Sequence, residues 1–430
     1  MEDENSVNPE GNTREKSKPK VGYNLAPFPE FRVDPVVGIY LGINATLFDY
    51  GTGEKYPDYK QFFNLNLAHG TKGKTNLSLR YKRYGNLNYS GKMGYSLSQL
   101  YPFYGYNGYQ TQYNQAFEDP NSNVFNTSAF YYYQQSRSHF EFQLQDQFGL
   151  SDFKWNLGFN LAYYQINRVD FDQLNKNNKP NGIYVDAPTL YDKYIEWQLI
   201  AEEEKEGGWA NSIQAGLSYD TRDRLTNPMK GTWVETTLRF SPEQAGNPTT
   251  ALQLSIKHHQ FFTLLPDRVS FAYRLRYDAS FGNLPFYTRQ VLADGIEGYG
   301  GAFGVVGEGF GTIWGILQNR AVGRKMALSN FELRARLFEF RFLNQNWHIS
   351  LVPIFHTGLI LEPYPIDFSS VTASDREKYF RDSYQGWYSA GGIGGKLVMN
   401  ENIVIGIDYA APLNQEAGNQ SVYVGFGYTF

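Results

Sequence analysis

The feature that most constrains this chain is an alternation of polar and apolar side chains that recurs in segment after segment. The clearest example follows Asn330: Phe331, Glu332, Leu333, Arg334, Ala335, Arg336, Leu337. Because successive side chains of a strand point to opposite faces, every charge falls on one face. Later segments repeat the pattern, aromatic residues stand near their ends, and no helical period is visible. We therefore predict an all-β, transmembrane antiparallel β-barrel.

The composition agrees with a barrel that has a wet interior. Aromatic residues make up 17% of the chain, with 34 Tyr and 32 Phe, whereas only 41% of residues are hydrophobic and the mean hydropathy is −0.50. No stretch approaches the roughly 20 apolar residues that a membrane-spanning helix needs. Closed β-structure is then the remaining way to cross a bilayer.

Charge, cysteine content and motifs argue against other classes of protein. A net charge of −4 gives no basic footprint for nucleic acid. The absence of cysteine excludes thiolate metal sites, and the adjacent His258 and His259 point to opposite faces of a strand. The glycines of 298–304 precede no helix that could bind a phosphate, so we expect no nucleotide. We expect no cofactor, no metal and no enzyme activity.

The chain divides into a disordered N-terminal segment, 1–20, and a barrel, 21–430. Residues 1–20 are polar and charged, which favours disorder. The acidic start lacks the apolar core of a signal peptide, so we expect that an export signal has been removed.

Alternation and turn residues predict about sixteen strands. They are expected at 24–33, 36–49, 58–70, 74–84, 88–101, 135–148, 153–166, 209–221, 231–241, 250–263, 268–280, 326–341, 347–360, 387–399, 402–411 and 421–430. If the first strand rises from the periplasm, all the long gaps fall on the outer side and the short ones on the periplasmic side, as in outer-membrane barrels.

The alternation also assigns faces. In the last strand it predicts these outward side chains: Val422, Val424, Phe426, Tyr428 and Phe430. It predicts these inward charges: Glu235, Arg239, Lys257, Arg274, Arg276, Asp278 and Arg336. For the inward charges a self-neutralised or solvated interior is favoured over a substrate path.

Two stretches carry a resemblance to a known family. They are 216–231, with Tyr219-Asp220-Thr221-Arg222-Asp223 followed by Asn227-Pro228 and Gly231, and the glycine-rich loop and strand of 311–336. Over about residues 24–430 the chain resembles the BamA/TamA superfamily of outer-membrane barrels, or bacterial surface antigens, in the short form without periplasmic POTRA domains found in Bacteroidota. The resemblance implies assistance in inserting or translocating proteins, or lipids, through a lateral gate between the first and last strands.

The long loop 281–325 corresponds to the family's lumen loop. The resemblance implies a loop arginine that meets acidic groups on the inner wall, but here that position is Trp314, followed by Gly315. The remaining loop candidates are Arg320, Gly323 and Arg324, and the inner-wall partners are Glu332 and Arg334. Two readings stay open: Arg320 or Arg324 pairs with Glu332 in a low-dielectric lumen, or Trp314 packs as an apolar plug.

The turn motif is expected at a periplasmic strand end. Its residues are Tyr219, Asp220, Arg222, Asp223, Pro228 and Gly231. We favour a role in locking the turn over a role in docking a partner.

The junction of the first and last strands is the predicted lateral seam, with Pro27, Phe28, Pro29, Phe426 and Phe430. Pro27 and Pro29 are two apart, so both missing N–H groups fall on the same strand edge and weaken pairing there. The alternative is that the prolines only lead into the strand.

The sequence thus predicts a bacterial outer-membrane barrel that assists protein insertion or translocation, with outer-membrane lipids and further proteins of the periplasm or outer membrane as partners. The alternative is a passive or structural barrel, a pore or a subunit of a larger membrane complex.

Overall fold

Strands dominate the part of the chain that the computed structural model describes. These residues are 19–34, 38–56, 58–85, 87–106, 127–149, 152–177, 184–224, 227–293, 313–343, 345–380, 386–401, 403–413, 418–426 and 428. Within these ranges, no helix has the length and apolar character needed to span a membrane.

Seventeen strands follow one another along the described residues. They are β1 Tyr23–Asp34, β2 Gly38–Asp49, β3 Gln61–Gly70, β4 Thr75–Arg83, β5 Asn88–Pro102, β6 Tyr132–Gln147, β7 Phe153–Asn167, β8 Gly207–Trp209, β9 Ser212–Asp220, β10 Gly231–Ser241, β11 Ala251–Leu265, β12 Val269–Gly282, β13 Lys325–Phe342, β14 Gln345–Glu362, β15 Trp387–Met399, β16 Ile403–Pro412 and β17 Ser421–Phe426. Three short helices lie between them: α1 Phe171–Asn177, α2 Leu190–Glu196 and α3 Ala373–Tyr379.

The strands form an antiparallel meander in which each pairs with the next, from β1–β2 to β16–β17. The three-residue β8 pairs only with the outer end of β7, which continues its pairing to β9. The other sixteen strands coincide with the predicted ones, so the predicted all-β barrel is confirmed. Of the predicted strand 421–430, residues 427, 429 and 430 lie outside the described part of the chain.

The two faces of the sheet differ as the alternation predicts. On β7 the side chain of Leu157 is 52% exposed and that of Leu161 is 45% exposed, whereas the intervening Asn156 is 1% exposed. Large apolar side chains on the outer face suit lipid, and polar side chains line the interior. Tyr428 is a correction: it was predicted outward, but it is buried, with the Arg334 guanidinium 4.0 Å from its ring centre. Contact with a charged lumen residue draws the end of the chain inward.

An aromatic cluster lies at the end of the barrel that carries the long connections, which we call the outer mouth. The cluster, here named the outer cap, joins strand ends to α2, α3 and the 286–288 turn. Its members include Tyr101, Phe103, Tyr106, Phe130, Tyr133, Tyr191, Tyr194, Trp197, Phe286, Tyr287, Tyr379 and Phe380. The Trp197 indole N–H donates to Asp375 at 3.0 Å, which ties the end of α2 to α3.

Candidate functional site

Residues 313–324 of the long loop lie inside the barrel against the wall of β13 to β17. The Trp314 ring stacks on Tyr423 of β17, with centroids 5.2 Å apart, and the Lys396 ammonium of β15 lies 5.0 Å from the Trp314 ring centre. The Trp314 backbone N–H donates to His356 Nδ1 of β14 at 3.2 Å. One loop residue therefore contacts three wall strands, including the last strand of the barrel.

Gly315 brings the loop backbone against the wall. Its φ is +91°, and an added Cβ would lie 3.1 Å from Ala390 Cβ and 3.0 Å from a backbone carbon of Ala411. The Gly315 N–H donates to the Tyr423 hydroxyl at 2.8 Å. A side chain at this position would push the loop off β15 and β16, so glycine is required by both space and backbone angle.

Arg324 lies away from the inner-wall carboxylate. It directly precedes β13 and pairs with Glu362 at 3.6 Å. It stands eight residues before Glu332 along the same extended segment, about 26 Å away, so the predicted Arg324–Glu332 pair is wrong. Arg320 is buried with its guanidinium 5.6 Å from the Tyr104 ring centre.

Glu332 and Arg334 both point into the lumen, as predicted, and they pair with each other: Arg334 Nε lies 2.8 Å from Glu332 Oε2. Gly323, the remaining loop candidate, donates its N–H to the Met326 sulfur at 3.2 Å. The Trp314 contacts agree with the reading in which this ring packs in the lumen, and Arg324 pairs with Glu362 instead of Glu332.

Sequence reasoning missed the ion pair beneath Trp314. Lys396 Nζ lies 2.7 Å from Asp408 Oδ2, and the two side chains are 1% and 2% exposed. Gly394 and Gly406 leave room for it, because a Cβ on Gly406 would lie 2.6 Å from Lys396 Nζ. The sequence feature that could have indicated this pair is two inward charges on neighbouring strands, each beside glycines.

Other inward charges are also paired within the wall. Lys257 Nζ lies 2.6 Å from Glu235 Oε1, and Arg276 Nε lies 2.7 Å from Asp278 Oδ2. Arg274 donates to the Asn330 side chain at 2.7 Å. These contacts match a self-neutralised interior.

The turn motif of 219–231 folds on itself at the periplasmic mouth, the end with the short turns. Arg222 donates twice to Asp220, at 2.8 Å each, and its guanidinium lies 4.4 Å from the Trp233 ring centre. The Asp223 carboxylate accepts the N–H groups of Met229 and Lys230.

Two further motif residues shape the turn and join it to the wall. The φ of Gly231 is +108°, and a Cβ there would lie 2.3 Å from the Thr221 carbonyl oxygen. The Pro228 carbonyl accepts from Arg334 at 3.5 Å. Tyr219 faces outward and packs on Phe153. These contacts suit the locking role.

Glu401 anchors this turn from the opposite side of the mouth, and the sequence gave no indication of it. Its carboxylate accepts from Asn227 at 2.7 Å and pairs with Arg224 at 3.1 Å, Arg336 at 3.1 Å and His348 at 3.4 Å. Burial alone would raise the pKa of Glu401, but the hydrogen bond from His348 and the neighbouring cations outweigh burial and lower it from 4.5 to about 2. We call residues 221–224 and 227–230 with Glu401 the periplasmic strap.

The seam between β1 and β17 is built differently from every other strand junction. Their described residues lie side by side without a hydrogen-bonded ladder, and β17 pairs only with β16. The β1–β2 ladder continues without interruption through Pro27 and Pro29. Because proline has no N–H, an unbroken ladder places both nitrogens on the side away from β2, facing the seam. Phe430 lies outside the described residues.

Near the periplasmic mouth the two ends of the sheet overlap. On the outward face of β16, Ile407 is 60% exposed whereas Ile403 is 4% exposed. Ile403 belongs to an apolar cluster with the inward-facing Phe48 and Phe62, and Ile405 and Phe28 pack against that cluster. The outer face of β16 is thus covered by the inner face of the first strands.

The sheet, the lumen loop and the seam together define an outer-membrane β-barrel with a loop folded back inside. The sequence profile of the Omp85 superfamily domain matches residues 61–430, so the chain belongs to the Omp85 superfamily. It is a protein of the bacterial outer membrane. None of the curated proteins compared with the chain matches it.

Two solved structures have the same fold. BamA from Haemophilus ducreyi lacking POTRA domains 1–3 is 14% identical with a TM-score of 0.50, covering 95% of this chain and 69% of that one. CdiB from Escherichia coli is 10% identical with a TM-score of 0.51, covering 94% of this chain and 61% of that one.

Proposed function

We propose that this barrel assists the insertion or translocation of polypeptides at the outer membrane through a lateral gate between β1 and β17. The observation that carries the proposal is the seam, where the described residues form no ladder although the rest of the sheet is paired throughout. A gate needs a junction that opens at low cost, and among the described residues this junction has the fewest backbone hydrogen bonds to break.

Energetics supports the same junction. A ladder hydrogen bond contributes roughly 0.5–1.5 kcal/mol net in water, and unpaired backbone groups are penalised more strongly in lipid, where no water replaces the partner. Opening any other junction would therefore expose a row of such groups. At the seam, apolar packing of Ile403 and Ile405 on the first strands holds the ends together, and it can be exchanged for contact with lipid or with an incoming strand.

Obstacles at both mouths support lateral rather than axial passage. The outer cap lies at the outer mouth, and contacts of the periplasmic strap with Glu401 cross the other mouth. Residues 313–324 occupy the lumen between them. A client that leaves sideways at the seam does not require the outer cap to unfold.

The second candidate is a passive or structural barrel, working as a subunit of a larger membrane complex. It is favoured by Trp314, because a neutral ring stands where the family resemblance implies an arginine. Under both readings, partner proteins of the periplasm or outer membrane supply substrate recognition or a structural context.

Reconstitution separates the two functions. The purified barrel is placed in liposomes, and the folding rate of a small outer-membrane barrel into the same bilayers is followed by gel shift. The gate proposal expects faster folding than in empty liposomes, and loss of the acceleration when a disulfide closes the seam. A rate equal to that of empty liposomes supports the passive barrel.

A further inference from the structure

The lipid-facing wall beside the seam contains a cavity that the proposed gate does not use. Its volume is about 470 Å³. Most of its lining consists of outward residues of six consecutive strands, and Asn64, Arg80 and Lys92, at inward positions of the same strands, complete it. The strand registers arrange the outward residues in two rows: Leu25, Leu47, Phe63, Tyr81 and Gly91 in one, and Ala45, Leu65, Leu79, Met93 and Phe140 in the other. We call this cavity the β1–β6 groove.

Small residues stand at opposite ends of the two rows: Gly91 of β5 ends the first row, and Ala45 of β2 begins the second. An added Cβ on Gly91 would meet no atom within 4 Å. The other positions carry large exposed side chains, with Phe63 48% exposed, Leu79 49% and Met93 48%. Large apolar side chains with gaps at Gly91 and Ala45 leave an apolar recess open to the bilayer.

A third row lies at the periplasmic end of the groove and has a different chemistry. It runs Tyr23, Asp49, Gln61, Arg83, Tyr89. Arg83 is exposed and donates to the Tyr89 hydroxyl at 3.3 Å. Asp49, the acidic member, accepts from the Gln61 side chain and the Gly51 N–H, so its oxygens are engaged within the row. Arg83 therefore presents a cation at the level where the bilayer meets the periplasm.

We infer that the β1–β6 groove binds one phospholipid of the periplasm-facing leaflet, with acyl chain in the recess and phosphate on Arg83. A guanidinium has five N–H donors in a fixed fork, so one bond to Tyr89 leaves donors for a phosphate oxygen pair. Arg83 stands two residues below Tyr81 and four below Leu79, about 7 and 13 Å along the strand. The cation that would bind the headgroup and the apolar residues that would contact the acyl chain thus follow each other along the strand, as the parts of a lipid lying along the wall would.

The volume of the groove suits a single acyl chain better than a protein helix. A membrane-spanning helix about 10 Å wide and 30 Å long fills roughly 2,400 Å³. The groove is several times smaller, within the range of about 300–1,000 Å³ that is usual for small-molecule sites. The site does not depend on the gate: it can exist in a passive barrel, and a working gate does not require it.

Native mass spectrometry of the detergent-purified full chain tests the site, with palmitoyl-oleoyl phosphatidylglycerol as the probe. The wild type should retain one lipid. Gly91→Phe fills the recess, and Arg83→Gln removes the cation while leaving the recess intact. Each should weaken retention about tenfold, the loss expected from about 1.4 kcal/mol of contact.

Matched controls come from strands and turns outside the groove. Gly391→Phe adds the same ring at an outward glycine of β15 that is equally open, and Arg268→Gln removes an exposed cation from the turn after β11. Both should retain the lipid as the wild type does. Palmitoyl-oleoyl glycerol, which lacks the phosphate, should bind at least about tenfold more weakly than the phospholipid.

Three results would overturn the site: retention by Gly91→Phe equal to wild type, equal loss in Gly391→Phe, or equal retention of palmitoyl-oleoyl glycerol and the phospholipid. Heat-modifiability on gels checks the fold of each variant. Arg83→Gln changes only an exposed side chain, so it decides the matter if Gly91→Phe does not fold.

Discussion

The wall of β10 to β14 and the seam between β1 and β17 are held together by different interactions. In the wall, long strands pair along nearly their whole length, and ion pairs such as Lys257–Glu235 join neighbours on the inner face. At the seam, the described residues have no ladder, and apolar packing with one loop contact takes its place. Ladders and ion pairs hold the wall and apolar packing holds the seam, so substitutions can weaken one region without touching the other.

The largest expected effect is in the wall. Glu235→Ala removes the carboxylate partner of Lys257 from a site where both side chains are at most 3% exposed, and should destabilise the barrel by about 3–5 kcal/mol. Denaturant unfolding in detergent measures this. Glu235→Ala with Lys257→Met should recover most of the loss.

The matched comparison is the exposed pair of Arg168 and Asp186 in the outer loops, 2.8 Å apart. Asp186→Ala should change the free energy of unfolding by less than about 1 kcal/mol. Equal effects of Glu235→Ala and Asp186→Ala would mean that the wall owes little to its buried charges.

The next effect concerns the periplasmic strap. Because the pKa of Glu401 is lowered from 4.5 to about 2, its contribution is complete above about pH 4.5 and is lost as pH falls toward 2. The shift corresponds to roughly 3 kcal/mol. Glu401→Gln should therefore be less stable than wild type at pH 7, and the difference should vanish near pH 2. Unfolding curves at several pH values measure it; a difference that does not change with pH contradicts the ionic anchor.

A smaller effect is expected where the loop meets the last strand. Trp314→Ala removes the stacking on Tyr423 and the contact with Lys396, and should cost about 1–3 kcal/mol because the ring is only partly buried. Release of the loop should also raise single-channel conductance in planar bilayers. Trp387→Ala, at a 60% exposed position on the lipid face, is the control and should leave conductance unchanged. Equal conductance of wild type and Trp314→Ala would show that this ring does not hold the loop in place.

The smallest expected effect comes from the two prolines at the seam. Pro27→Ala with Pro29→Ala restores two N–H donors on the edge that faces β17, each worth roughly 0.5–1.5 kcal/mol if it finds an acceptor. The double variant should be slightly more stable and should slow client folding in the liposome assay. Ala45→Pro, placed on the lipid-facing side of β2, should be destabilising instead. Acceleration of client folding by the double alanine variant would contradict the idea that the prolines ease opening.

The sequence predicted the strands and their faces because the period-two pattern is local and each strand carries its own copy. The Lys396–Asp408 pair lay within reach of the same reasoning, since both residues sit at inward positions beside glycines. The role of Glu401 could not be predicted in this way, because a turn residue belongs to no periodic pattern and its partners come from three distant parts of the chain. The path of the long loop through the lumen could not be predicted from the sequence either. The predicted Arg324–Glu332 pair was wrong because Arg324 extends β13 instead of folding back into the lumen. Tyr428 departed from the alternation because contact with Arg334 outweighs the local pattern at the chain end.

Disulfide crosslinking measures the opening of the β1–β17 seam most directly. The chain has no cysteine of its own, so only introduced pairs can form disulfides. Cysteines at Phe28 and Phe426, and at their near neighbours, are compared with a control pair at Ile43 and Leu67, which face each other in the β2–β3 ladder. A seam that opens should crosslink in several registers, whereas the control pair should crosslink in one. Accelerated client folding should be lost only when the seam is locked by a disulfide, and it should recover when the disulfide is reduced. A single sharp register at the seam, together with full acceleration in the locked protein, would contradict an opening seam.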